Sequence, residues 1–372
     1  MSFEQVFARI AEGAVQRESD RTLPHEPLQW LREAGFGKVR VPREYGGQGA
    51  SLPELTELLI RLGRADSNLP QLLRGHLGFV ESRLAHPDPQ VRDRWLRRIA
   101  AGVIVGNAQS ERSSASWWAP ETTLQNGRLN GRKYYSTGTL FADWIHTTAA
   151  DEAGGIVNVF VPAAAPGVTR LDDWDGFGQR LTGSGTTIFE DVPVAPQDVE
   201  PAANASLAAF FQLVHLATLA GIGRAAVAET VAFVNGRARN LFNPDLPAAA
   251  DPQVQAVVGR IAGASFAADA ATLAAARALE AHGDDPDAAD AAVFAAQGAV
   301  ARLVLGLTTE LFEVGGASAT AGRRGLDRHW RNARTVASHN PIVYRDRIVG
   351  QYRLDGTSPS SAYPRPRLEE AA

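Results

Sequence analysis

At 372 residues the chain has ample material for a buried core and room for two or three domains. Its 37 Lys and Arg stand against 41 Asp and Glu, and a net charge of −4 points to neither nucleic acid nor an anionic membrane surface. It has no cysteine, which excludes disulfides, thiol catalysis and Cys-ligated zinc or iron–sulfur centres.

The first twenty residues are amphipathic and lack the apolar core of a signal peptide. No run approaches the roughly 18 uninterrupted apolar residues of a membrane span, so the expectation is a soluble, cytoplasmic protein. Up to about residue 102 the pattern is helical. Phe3, Val6, Phe7, Ile10 and Val15 recur at helical spacing, and a second helix, PLQWLREAG, stops at Gly35. Paired glycines turn the chain in VPREYGGQGAS, where Ser51 and Glu54 form a capping box for the helix LPELTELLIRLGRAD. The next helix, PQLLRGHLGFVESRL, sets His76 among Leu72, Leu73, Phe79 and Val80, and Asp88 caps PQVRDRWLRRIAAG.

Near Val103 the period shortens. Runs such as VIVGNAQSE, RLNGRKYYSTG, DWIHTTAA, GIVNVFVPA and TTIFEDVPV are β-branched or aromatic. Asn126-Gly127, Asn130-Gly131 and Gly154-Gly155 read as hairpin or turn signals between them. A small antiparallel β domain is expected. From about residue 206 the chain is helical again and rich in alanine, with periodic segments over 206–239, 253–282 and 288–313. An Arg-rich helix from Asp327 to Ser338 follows, halted at Pro341 with His339 and Asn340 at its end. Short loops and small contact residues favour a four-helix bundle. The tail TSPSSAYPRPRLEEAA reads as extended. The expected division is therefore an α+β chain with helical 1–102, β 103–205 and helical 206–372.

Several chemical signatures are absent. GFGQRL at Gly176 lacks the third glycine of a dinucleotide fingerprint, and no GxxxxGK phosphate loop occurs. No Glu-x-x-His pair supplies a di-iron site, so no metal is expected. GASA at Gly316 is not a nucleophile elbow. A chain without its own catalytic machinery suggests a borrowed cofactor.

Seven stretches in order, VPREYGGQGAS, GNAQSERSS, LNGRKYYSTGTLFADW, GQRLTGSGTTIFEDVPV, RARNLF, LFEVGGASAT and RHWRNARTVASHNP, resemble the acyl-CoA dehydrogenase superfamily. The resemblance covers nearly the whole chain. It implies an N-terminal helical domain, a middle β domain and a C-terminal four-helix bundle, assembled as a homotetramer of two dimers with a flavin site completed by a neighbouring subunit. By position it places Asn107, Ser110 and Thr137 near the isoalloxazine or ribityl chain, and Trp174 and Ser184 by the phosphate. Arg239 and Phe242 look like the family's R-x-x-F flavin contact, and Gly315, Gly316 and Ser318 would come from the partner. Each also has an ordinary reading: Thr137 and Ser184 as turn residues, Trp174 as a core anchor, the glycines as a helix stop.

A dehydrogenase of this family needs a carboxylate base, and its Tyr-Glu pair falls here on His339 and Asn340. No acidic residue lies between Glu200 and Glu229 either, where some relatives carry the base. An amide cannot act as a base. RHWRNARTVASHNP and IVYRDRIVGQYRLDGTSP are instead similar to the flavin-dependent monooxygenase branch, which includes dibenzothiophene monooxygenase and the sulfur-acquisition oxidoreductases. That implies reduced FMN delivered by a separate NAD(P)H-flavin reductase, and oxygen transfer through a C4a-(hydro)peroxyflavin shielded from water. His339 is the first candidate to donate to or protonate the peroxide, His76 the second, with Asn107 holding peroxide or flavin. His76 reads equally as a satisfied core histidine, and His329 as structural. Leu72, Leu73, Phe79, Trp117 and Trp118 suggest an apolar pocket for a small organosulfur substrate. The alternatives are an FAD-dependent acyl-CoA dehydrogenase-like oxidoreductase and a non-catalytic binding protein on the same scaffold.

Overall fold

A computed structural model describes residues 1–112, 119–202, 207–240, 242–281 and 285–362. Six helices come first: α1 (Phe3–Glu12), α2 (Ala14–Asp20), α3 (His25–Glu33), α4 (Leu52–Ala65), α5 (Asn68–Leu84) and α6 (Pro89–Ala100). The capping box at α4 forms as expected. Ser51 Oγ accepts from the Glu54 N–H at 3.3 Å while Glu54 Oε2 accepts from the Ser51 N–H at 2.7 Å. Asp88 Oδ1 accepts from the Gln90 N–H at 2.8 Å to open α6.

Eight strands follow: β1 (Val105–Ala108), β2 (Thr123–Gln125), β3 (Arg128–Tyr134), β4 (Trp144–Ala150), β5 (Ile156–Pro162), β6 (Val168–Arg170), β7 (Thr186–Pro193) and β8 (Val199–Pro201). They form one sheet in the order β6-β7-β3-β2-β4-β5-β8, with β1 added on β4. Pairing is antiparallel except that β1 and β2 each run parallel to β4. Asn126 and Gly127, at φ 50° and 69°, make the two-residue turn between β2 and β3. Asn130-Gly131, expected as a turn, lies inside β3 instead. There Gly131 takes φ 154°, the register with β7 slips, and a Cβ would sit 2.3 Å from Thr122 Oγ1. The dipeptide makes a bulge because the strand continues through it.

The C-terminal part holds α7 (Ala208–Asn235), α8 (Pro252–Glu280), α9 (Pro286–Glu310), α10 (Asp327–Ser338) and α11 (Ile342–Asp355). Helices α7 to α9 pack on one another, α10 lies against α7 and α9, and α11 against α9. Leu216, Ile222, Ile261, Phe294, Val300, Val304 and Val336 fill the interior. Pro341 halts α10 as expected, but the chain restarts at once as α11, with Pro341 at its N-cap, where a missing N–H removes no helical bond. Pro359–Ala362 closes as a short 3-10 turn, and the rest of the expected extended tail lies outside the described residues. By length and composition α7, α8 and Pro286–Val314 are apolar enough to cross a membrane, a property that uninterrupted apolar runs do not reveal. Of those apolar windows 83% and 56% are buried for the first and last, but only 28% for α8.

Helix α5 positions the site. It packs against α4, α6, α7 and β1 at once, and 13 of its 17 residues are buried. At Gly75 a Cβ would lie 2.5 Å from Asn107 Cβ, so only glycine lets α5 and β1 approach this closely.

Candidate active site

Arg74 extends from α5 to the end of α10, where its Nη2 lies 3.0 Å from His339 Nε2. A guanidinium has no acceptor, so Arg74 donates, and the imidazole proton of His339 is fixed on Nδ1. His215 of α7 packs on the same ring with centroids 4.5 Å apart. Its Nδ1 lies 3.3 Å from Gln212 Oε1, an acceptor, so Nδ1 carries the proton and Nε2 is a buried acceptor with no partner. The ring of Phe211 lies 5.0 Å from the Arg74 guanidinium. Asn107 of β1 stands beside Gly75, the residue next to Arg74.

The electrostatics follow from burial. Desolvation first, and then the charge of Arg74, lowers the pKa of His339 to about 3. The Asn340 side chain hydrogen-bonds the ring and opposes that shift weakly. Desolvation, followed by His339, Arg74 and Arg345, holds His215 well below its ordinary value. Burial lowers Arg74 itself to about 10. His339 is densely surrounded and yet keeps exposed surface, the condition of a side chain lining a recess. Among the described residues no carboxylate hydrogen-bonds or ion-pairs with Arg74, His215 or His339. The cluster can donate and accept hydrogen bonds as neutral imidazoles beside a cation, and it holds no base strong enough to remove a carbon-bound proton.

His76, two residues from Arg74, is engaged elsewhere. The Val105 N–H donates to its Nδ1 at 3.2 Å, so Nε2 carries the proton and donates to Gly37 O at 2.8 Å. Burial lowers its pKa to about 4. With both nitrogens held by main chain, His76 takes the form of the satisfied core histidine, fastening α5 to β1 and to the 3-10 turn Phe36–Lys38 that follows α3. His329 is structural, its Nε2 3.0 Å from Glu229 Oε2.

A second polar group lies on the sheet side. Ser184 Oγ bridges Thr137 Oγ1 at 2.8 Å and Thr182 Oγ1 at 2.7 Å. Near it in the chain Tyr134 OH, Ser136 Oγ and Gln179 Oε1 are buried without partners. Such orphaned polar atoms fit a ligand bearing many hydrogen-bonding groups, as a flavin does. Ser110 accepts the Tyr134 N–H through its carbonyl at 2.9 Å. The Trp174 indole N–H donates within its own loop, to Gly178 O at 3.3 Å and Gln179 O at 3.1 Å, and its ring packs on Gly176 and edge-on to Tyr135.

The remaining expected contacts gather elsewhere. Arg239 is exposed and Phe242 is 88% exposed, both just past the C-terminal end of α7. Gly315 packs on Phe233 near that same end, followed by Gly316 and by Ser318, whose hydroxyl donates to Gly315 O at 2.8 Å. His215 stands near the other end of α7, so about 30 Å of helix separates the two groups within one chain. The structure brings together His339, Asn107, Thr137 and Ser184 on one side, and Arg239, Phe242, Gly315, Gly316 and Ser318 on the other. Trp117 and Trp118 lie outside the described residues; Leu72, Leu73 and Phe79 are buried on α5. Sequence reasoning passed over Arg74, Gln212 and His215. The signal was available: polar residues inside otherwise apolar helices, in PQLLRGHLGF and FFQLVHLATL.

A helix–sheet–helix scaffold with an amide, Asn340, at the position matched to the dehydrogenase's carboxylate base defines an acyl-CoA dehydrogenase-type flavoenzyme without that base. Residues 4–103 match the acyl-CoA dehydrogenase N-terminal domain and residues 213–343 the acyl-CoA dehydrogenase C-terminal domain. A dibenzothiophene monooxygenase of Mycolicibacterium goodii is 31% identical over 376 residues, covering 93% of this chain and 91% of that protein. The probable FMNH2-dependent monooxygenase SfnC of Pseudomonas putida is 27% identical, over 96% and 95%. The FMN-bound TdsC of Paenibacillus sp. A11-2 superposes with a TM-score of 0.87 at 27% identity, over 96% of this chain and 98% of that one. The chain belongs to the acyl-CoA dehydrogenase superfamily and, within it, to the flavin-dependent monooxygenases.

Proposed function

We propose that this chain is the oxygenase of a two-component system, using reduced FMN from a separate NAD(P)H-flavin reductase to oxygenate a small organosulfur compound. The observation that carries the reading is the Arg74–His339–His215 cluster, with Arg74 and His215 buried, His339 at its exposed edge, and no carboxylate paired with it among the described residues. The site lies where segments 1–102, 103–205 and 206–372 meet. Reduced flavin, when bound, supplies two electrons so that one atom of O2 enters the substrate and the other leaves as water. FMN rather than FAD is supported by SfnC's description as FMNH2-dependent and by the FMN held by TdsC. The sulfur substrate is supported by the dibenzothiophene monooxygenase relative.

The chain's own residues have separate tasks. Thr137, Ser184, Asn107 and Ser110 offer polar contacts to the flavin, and Trp174 an aromatic ring. Arg74 fixes the tautomer of His339, whose Nδ1–H, held by the Asn340 side chain in the free protein, is the donor that turns to the reacting oxygen, and the ring remains unprotonated at working pH. The buried aliphatic and aromatic side chains of α5 exclude water, which suppresses loss of oxygen as peroxide. Arg239, Phe242, Gly315, Gly316 and Ser318 contribute to the site of a neighbouring subunit, since they lie about 30 Å from His215 along α7. A homotetramer built of two dimers satisfies this geometry, and the largely unburied apolar α8 suits such an assembly.

The test is turnover with reduced FMN under 18O2 on a panel of sulfur compounds, with product and peroxide both quantified. One labelled atom in an oxygenated sulfur product is expected. Peroxide as the sole fate of oxygen across the panel, or reduction of bound flavin by acyl-CoA esters, would overturn the reading.

A further inference from the structure

Resting on that reading, we propose that Arg74 is the receptor for an anionic headgroup, so that the substrate is a sulfur oxyanion such as an alkanesulfinate rather than a neutral thioether, sulfone or thiophene. The ground is a contrast among buried cations. Arg83 is bound to Glu200 at 2.7 Å, Lys133 to Glu111 at 2.6 Å and Arg328 to Glu229 at 2.8 Å. Arg74 is only 9% exposed, and its sole hydrogen-bond partner among the described residues is the uncharged His339. Its Nε is buried with no partner among the described residues. A buried charge without a counter-charge is costly, and a fold retains one where an incoming ion completes it.

The surroundings favour an oxyanion. A guanidinium presents its donors in a planar fork that matches two oxygens of a sulfinate or carboxylate. Phe211 lies beside it as an apolar surface suited to a short alkyl chain. Exposed His339, 3.0 Å from Arg74, gives the anion its approach from solvent. The sulfur of a headgroup held there would lie beside His339, the imidazole assigned to orient oxygen.

The experiment is calorimetric titration of the FMN-loaded protein with methanesulfinate and, in parallel, with dimethyl sulfone, for wild type, Arg74→Met and Arg74→Lys. Methanesulfinate should bind wild type, and Arg74→Met should weaken it by about 100-fold, the usual cost of removing one partner of a buried charge pair. Arg74→Lys should lie between them, and sulfone affinity should change little across the three. Ligand-free Arg74→Met should melt no lower than wild type, since it removes an unmatched buried charge; an arginine with a purely structural task would give the opposite. Equal sulfinate affinity in wild type and Arg74→Met overturns the proposal. So does a loss of reduced-FMN affinity in Arg74→Met with sulfinate binding intact, which would make Arg74 the counter-ion of the reduced flavin ring. Oxygenation of the sulfone but not of the sulfinate would overturn the anion assignment while leaving the monooxygenase reading standing.

Discussion

The two ends of α10 carry similar groups in different electrostatic company. At its start Arg328 and His329 converge on Glu229 of α7, whose pKa is pulled to about 2 against the opposing effect of burial, chiefly by His329 and then Arg328. At its end His339 meets Arg74 of α5 and His215 of α7, with no carboxylate paired to them among the described residues. The first cluster is electrically closed and has nothing left to offer a ligand. The second is open. Position in a helix and residue type therefore do not distinguish a structural histidine from a functional one; the presence or absence of a counter-charge does.

The largest expected effect breaks the closed cluster. Glu229→Gln leaves Arg328 and His329 buried without their charge partner and should lower unfolding stability by about 3 kcal/mol in denaturant titration. That is the low end for a buried pair, because 33% of the Glu229 side chain is exposed. Reduced-FMN affinity should be unaltered; a parallel loss would mean that the two ends of α10 are one unit. In the open cluster the effect falls on turnover instead. His339→Ala should bind reduced FMN as wild type does but form product about 100-fold more slowly while releasing more peroxide. Undiminished product yield would remove His339 from the mechanism.

What separates the two clusters was only partly legible in the sequence. The Ser51–Glu54 capping box, the Asn126-Gly127 turn and the end of α10 at His339 depend on residues within a few positions of each other, and local pattern found them. Arg74 and His339 are 265 positions apart, so their pairing exists only once α5 and α10 are packed. Periodicity also failed to choose between Arg74 and His76, because a helix buried on nearly every side has no single apolar face to read. The Asn130-Gly131 bulge carries the same dipeptide chemistry as a turn, and only strand pairing tells them apart.

A smaller effect probes how α5 presents Arg74. Gly75→Ala places a Cβ 2.5 Å from Asn107 Cβ, so helix and strand must separate slightly. A loss of about 2 kcal/mol in stability is expected from such overpacking, together with weaker flavin binding as Asn107 is displaced. Unchanged stability would show that β1 yields freely and that Asn107 is not held in place by α5.

The smallest expected effect is an inflection that does not occur. An imidazole in water titrates near 6.5, whereas His339 is held to about 3 by burial and Arg74. Between those values the unfolded chain takes up a proton that the folded protein refuses. Folding stability from this group is thus intact above about pH 6.5 and declines as pH falls toward 3. Over pH 5 to 8 the folded ring stays neutral, so product formation should show no bend assignable to His339, and its NMR shifts should be flat. His329, lowered by burial but drawn upward by Glu229, gives the comparison within the same helix. Binding of an anion on Arg74 should then remove the cation that depresses His339 and move its titration upward. A His339 that titrates near 6.5 without ligand would mean that the Arg74 contact does not persist in solution, and the distinction between the closed and open ends of α10 would fall with it.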